Sequence, residues 1–278
     1  MLQIMKVTLK EVTRKRIVLL ITAGTMIYLI LYGIISILSR NALQDGTFFM
    51  KSSVYISALG LYFSYLITVF MAIMASVGII STEMESGILY SVISRPVKRH
   101  EYILGKYLGL VIMITIYSLF LYTFVFLISA ILNGSSLQNI GLDRLLYGLL
   151  LFILQPVAIL SLCIYGSVSF KTMSSGIFAI FIYILGLLSG VMEQAGLFLN
   201  NNILYQWGIA ISLFSPFDVI YRKIVWVIYG GVGLTNPIMP GAVLIPGTIP
   251  SNWMLVYIST YSFALLYFAI MKFGKKDL

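Results

Sequence analysis

Chemistry in water needs polar side chains, and this sequence gathers them in one place. The run Ser81 to Lys106, STEMESGILYSVISRPVKRHEYILGK, holds Glu83, Glu85, Glu101, Arg95, Lys98, Arg99, Lys106 and the chain's only histidine, His100. Glu83 and Gly87 are four residues apart with Glu85 between them, so a helix here splays the two carboxylates over adjoining faces instead of pairing them. One histidine beside Arg99 makes no metal cluster. Gly105-Lys106 has the look of the end of a phosphate-binding loop, but Tyr107 stands where Ser or Thr is needed and His100 where the first glycine belongs. No catalytic, cofactor or metal site is expected in this chain, and no ATP hydrolysis by it alone. Carboxylates at a helix end that oppose its dipole are poor caps, so Glu83 and Glu85 are expected to meet a basic surface. Ser94-Arg95-Pro96 breaks any helix, and Lys98, Arg99, Glu101 and Lys106 follow on a second short amphipathic piece. Two short helices joined at a proline corner suit a groove on a soluble partner; the plain alternative is a solvated loop.

The elements that must position this run are apolar. The 278 residues are 60% hydrophobic and 10% charged, with mean hydropathy +1.01, where soluble domains carry roughly 25% charged residues. An all-α polytopic membrane protein is expected, since about 20 apolar residues cross a bilayer as helix. Six spans are read at about 17–38, 54–80, 107–132, 145–168, 174–192 and 253–271. Gln155-Pro156 marks a kink in the fourth, whose freed carbonyl needs a partner. Residues 1–16 place Met5, Leu9 and Val12 on one helical face and Lys6, Lys10 and Arg14 on another, followed by Lys15 and Arg16. That pattern is an interfacial amphipathic helix. No small-residue cleavage site follows it, so residues 17–278 are read as one transmembrane domain with a permanent first span. Cys163, alone in an apolar run, is a packing residue. The net charge of +9 is spread over span ends without exposed aromatics, which argues against nucleic acid.

Orientation follows from the basic residues. Thirteen Lys and Arg fall with both termini and the 81–106 run, and five on the opposite side, so the termini and that run are expected in the cytoplasm of a multi-pass cell-membrane protein. Residues 193–252 are then external. They contain two short apolar pieces, Ile203–Phe214 and Ile224–Leu234, separated by SPFDVIYRK and followed by a proline-rich tail, read as re-entrant or surface-lying helices before the last span. An eight-span topology in which both pieces cross is the alternative. The spans carry almost no ionisable group, with Glu193 at the outer end of the fifth, which disfavours ion-driven transport.

Glu83, Glu85 and Gly87, then Ser94-Arg95-Pro96, Arg99 and Gly105-Lys106, resemble the E-x-x-x-G, S-R-P-x-x-R and G-K signature of type 2 ABC exporter permeases. The layout of the whole chain is similar too, and Ser215 to Arg222 is similar to a segment of the multicopper-enzyme maturation permeases. The resemblance implies two permease chains, identical or different, around a central path, with cytosolic ABC ATPase subunits that bind ATP and Mg docked below and drive alternating access. It makes the 81–106 run the coupling loop, with Glu83, Glu85, Gly87, Arg95, Pro96, Arg99, Gly105 and Lys106 at the interface. Lys10, Arg14, Lys15 and Arg16 of the N-terminal helix share it, the last three as candidate partners for Glu83 and Glu85. Arg95, Arg99 and Lys106 as lipid headgroup anchors remain the alternative. Two other function classes compete: a membrane anchor or sensor without transport, and a polytopic membrane enzyme using Glu83, Glu85 and His100.

Overall fold

The computed structural model describes residues 1–44, 53–89, 98–132, 140–229 and 250–276. Among these, every regular element is helical: α1 (Leu2–Thr13), α2 (Arg16–Gln44), α3 (Ser53–Ser76), α4 (Ser81–Glu85), α5 (Arg99–Leu132), α6 (Leu142–Ser169), α7 (Thr172–Phe198), α8 (Asn202–Phe214), α9 (Phe217–Tyr229) and α10 (Asn252–Gly274). Six of them are long and apolar enough to cross a membrane, with α3 the most enclosed and α2 and α10 the most exposed. The chain is an all-α polytopic membrane protein.

Met1 and Lys276 lie at one end of the bundle, beside α4, the start of α5 and the connection from α6 to α7. Helices that end there leave carbonyls unpaired, and cations answer them. Lys15 Nζ donates to Ala75 O at 3.2 Å, Lys106 Nζ to Ile79 O at 3.0 Å and Lys276 Nζ to Val168 O at 3.2 Å. Arg99 Nη1 donates to Gly274 O at 3.0 Å and Lys276 O at 2.9 Å. Part of the basic surplus at this end is therefore helix C-capping, favoured by the macrodipole.

α1 does not stand apart from the bundle. Its buried Thr8 and Val12 lie against the first turns of α5, where Gly105 and Gly109 form a small-residue face four residues apart. A Cβ at Gly109 would come within 2.9 Å of Thr8 Cβ and 3.0 Å of Met5 O. Gly109→Val is expected to cost about 1 to 3 kcal/mol by overpacking and to lift α1, seen as faster amide exchange over residues 2–13.

The fifth span extends into a hairpin at the end of the bundle away from α4. Asn201 Oδ1 accepts from Ile203 and Leu204 N–H at 3.1 and 3.3 Å, starting α8, which runs back along α7. The chain then bends by 104° at Ser215-Pro216 into α9. Here the structure differs from the sequence reading. The SPFDVIYRK stretch is no separator, because from Phe217 it is the first half of α9; of the two forms expected for these short helices, α9 is not surface-lying, and the sharply bent pair α8–α9 has the form of a broken or re-entrant span. Of the residues of α9 only Trp226 is exposed; the rest pack inside α6, α7, α3 and α10. At about 1.5 Å rise per residue neither α8 nor α9 is long enough to cross about 30 Å of hydrocarbon alone.

Candidate functional site: the α4 junction

α4 is one and a half turns long, yet both its ends are held. Ser167 Oγ of α6 accepts from the N–H groups of Ile80 and Ser81 at 3.1 and 3.0 Å, supplying the cap that no side chain of its own provides. At its far end Gly87 adopts φ +74°, a left-handed conformation open to glycine without strain. Gly87 thus turns the chain out of α4, a local reason for its place in the motif.

The carboxylates of α4 splay as the spacing predicts, and each takes a different neighbour. Glu83 faces α5: its carboxylate lies 2.5 Å from Lys106 Nζ and accepts from the Tyr102 hydroxyl. Lys106 is 4% exposed at its side chain and also lies 3.6 Å from Glu11 of α1. Its Nζ sits 5.5 Å from the Tyr102 ring, which stacks on Phe273 of α10. One buried ammonium therefore joins α1, α4 and α5. Lys15 stands close enough to add to the field at Glu83; burial holds its own pKa below the ordinary lysine value, with Glu11 pulling the other way.

Glu85 turns to α7 instead. It accepts from Thr172 N–H at 2.9 Å and from Thr172 Oγ1 at 3.1 Å, a carboxylate on a helix N-terminus, where the dipole favours it. Thr172 Oγ1 also lies 3.0 Å from Ser81 Oγ and 3.2 Å from Thr82 Oγ1. α4 is thus a strut: one carboxylate ties it to α5 and α1, the other to α7. Beside Glu85 and Lys171 a groove of about 710 Å³ opens between α3 and α7. At Ile180 it meets a second groove of about 550 Å³ that reaches α2 at Gly24 and Thr25.

The remaining predicted positions separate. Gly105 is buried under Ile4 of α1 and the preceding Met1. Arg99 caps α10 as described, while Lys10, Arg14 and Arg16 are exposed and Lys15 is half-buried. Arg99 to Lys106 are not a separate amphipathic piece, because they form the first turns of α5, continuous with the third span. Lys106, being buried, is no headgroup anchor. The proline corner with Arg95 and Pro96 lies outside the described residues.

Sequence reasoning missed a second charged group at the opposite end of α7. Arg222 of α9 forms a bidentate pair with Glu193 of α7, its Nη2 lying 3.2 Å from Oε1, and its Nε lies 3.1 Å from Asp218 Oδ2. All three side chains are about nine-tenths buried or more. The available signal was the i, i+4 spacing of Asp218 and Arg222, on a segment read as loop. Among the described residues no group of three His, Cys, Asp or Glu gathers as metal ligands do.

Comparison with known proteins agrees with the helical layout. Residues 8–186, more than half the chain, match the family model described as ABC-2 family transporter protein. No curated protein matches the sequence.

Proposed function

The chain belongs to the ABC-2 family of transporter proteins, and from that premise we propose that it is the permease of an exporter driven by a separate ATPase chain. Its place as a membrane subunit of an ABC transporter follows from the family; direction, partner and cycle are our reading. On it, the end that holds Met1, Lys276 and α4 faces the cytoplasm of the cell membrane, as the surplus of Lys and Arg there supports. Two cytosolic ABC ATPases, which bind the ATP and Mg, dock beneath a pair of permease chains. Their closure moves the path from inward-facing to outward-facing, and hydrolysis resets it.

The observation that carries the coupling role is the double attachment of α4. A push on a five-residue helix tied to α5 by Glu83 and to α7 by Glu85 is delivered to two spans at once. The groove between α3 and α7 begins at this strut, so the same displacement changes its width. The exposed Lys10, Arg14 and Arg16 of the neighbouring α1 give an acidic face of the ATPase something to grip. A relation to the multicopper-enzyme maturation branch remains part of this reading, supported by the Ser215–Arg222 stretch.

The test is co-purification from the native host. A cassette ATPase should come down with the tagged chain, and the chain alone should hydrolyse no ATP. Lys10→Glu, Arg14→Glu and Arg16→Glu together should weaken that association at least about tenfold, a loss of about 1.4 kcal/mol, while leaving thermal unfolding unchanged. Transport by the chain without any nucleotide-hydrolysing companion would overturn the proposal. Unaltered association in the triple variant would remove α1 from the interface.

A further inference from the structure

α7 begins with a cation where the helix dipole does not favour one. Lys171 is its N-cap residue, and a positive side chain at a helix N-terminus stands against the macrodipole. Lys15, Lys106, Arg99 and Lys276 at the same end of the bundle all answer backbone carbonyls. Lys171 answers none: its side chain is exposed and makes no hydrogen bond or ion pair among the described residues. It shares the rim of the groove between α3 and α7 with Glu85. Glu85 is exposed as well, and the two hydrogen bonds that it accepts from Thr172 leave acceptor positions open, since a carboxylate offers about four. The rim therefore presents one positive and one negative group that do not pair with each other.

Below the rim the groove is apolar. Met173, Gly176, Ile177 and Ile180 recur at i, i+3, i+4 and i+7, so they form a single stripe along α7. Met74 and Val77 of α3 make the other wall. Gly176 lets the two helices approach at the floor, where a Cβ would already lie 3.3 Å from Val77 Cγ1. Met173 and Ile177 are 82% and 64% exposed, so the stripe is open along its length. At Ile180 the groove runs on into the second one, which follows α7 to Tyr183. From Thr172 to Tyr183 this wall measures about 16 Å at the helical rise, roughly half the hydrocarbon thickness of a bilayer. It is the depth of one leaflet.

The occupant that fits is apolar along one leaflet and carries both signs of charge at its polar end. We propose that the groove holds one phospholipid with a zwitterionic phosphoethanolamine headgroup, its phosphate on Lys171, its ammonium on Glu85 and an acyl chain along the stripe from Met173 to Ile180. Lysine binds phosphate as a point charge, and a primary ammonium has three N–H donors for the open carboxylate positions. An anionic headgroup without the ammonium sets its phosphate near Glu85 with nothing to offset the repulsion. Because Glu85 is also the tie from α4 to α7, a lipid seated there bears on the strut itself. The binding needs only a chain that spans a bilayer; it does not depend on the ATPase-driven reading.

The experiment uses the full chain, purified in detergent, stripped of native lipid and incubated with phosphatidylethanolamine or phosphatidylglycerol of identical acyl chains. Native mass spectrometry counts the lipids retained. One phosphatidylethanolamine per chain should survive conditions that remove phosphatidylglycerol. Lys171→Glu should lower that retention at least about tenfold, as reversal of a basic group at a lipid headgroup does. Glu85→Gln should keep a bound lipid but lose the discrimination between the two headgroups. Lys171→Glu breaks no internal contact, so it decides the matter even if Glu85→Gln loosens α4. No retained lipid, equal retention of both lipids by the wild type, or undiminished retention by Lys171→Glu would overturn the proposal. So would a disulfide between two copies through Met173→Cys, which would put a second chain over the groove. Because no ATPase is present, these outcomes are separate from the fate of the co-purification test.

Discussion

Replacing Lys106 by methionine is expected to destabilise the chain by about 3 kcal/mol and to disconnect bound ATPase from transport. The change keeps the length of the side chain and its apolar stem, so α1 retains its packing on α5. What is lost is the ammonium that Glu83 meets at 2.5 Å and Glu11 at 3.6 Å. Removing one partner of a buried pair costs about 3 to 5 kcal/mol because the other charge is left behind. The low end applies because Glu83 is 20% exposed at its side chain and keeps the Tyr102 hydroxyl as a donor. The carbonyl of Ile79 also loses its donor. Glu83→Gln should cost less, about 1 to 2 kcal/mol, since the amide still accepts from Tyr102 and Lys106 keeps Glu11. Thermal unfolding of the three proteins gives the order, and ATP turnover per transported substrate in the assembled complex gives the coupling. If Lys106→Met unfolds like the wild type, the three-helix joint is a surface pair of the kind that contributes little. If it is destabilised but fully coupled, α4 is a fastening and not a lever.

The six spans were legible because each is a long apolar run with polar ends, a signal that needs no knowledge of neighbours. The splay of Glu83 and Glu85 was legible from spacing for the same reason. Their partners were not. Glu85 meets Thr172, 87 positions away, and only the packing of α6 and α7 against α3 brings that helix start within reach. Lys106 at the edge of an apolar run reads equally as a coupling-interface residue or a lipid anchor. It is buried because α1 lies over Gly105 and Gly109, a small-residue face contained in GKYLG that the G-K motif overshadowed. The larger departure is α9. Asp218, Arg222 and Lys223 in a stretch next to proline look like a solvated connector, because charge in a single sequence is taken as exposed. Inside the bundle Arg222 finds Glu193 from another helix, and a long-range pair of this kind has no local signature beyond the i, i+4 spacing of Asp218 and Arg222.

Arg222→Met should be the most damaging single change in the half of the bundle away from α4, with an expected loss of about 3 to 5 kcal/mol. It leaves Glu193 and Asp218 buried together without the guanidinium that separates them, and like charges at short range in a poorly solvated site repel strongly. This group ties α9 to α7, and just before α9 the Ser215 hydroxyl donates to Ile182 O of α7 at 2.6 Å. Amide exchange over residues 217–229 should therefore accelerate before the spans themselves open. A second variant separates charge from shape: Glu193→Gln, Asp218→Asn and Arg222→Met together keep the side-chain volumes and remove every charge. Because replacing a buried ion group by neutral groups of similar shape is often nearly neutral, this triple variant should recover most of the lost stability. Recovery of stability would show that the charges themselves are not needed for the fold. Failure to recover would mean that the triad holds α9 in place by hydrogen bonds that neutral side chains cannot replace.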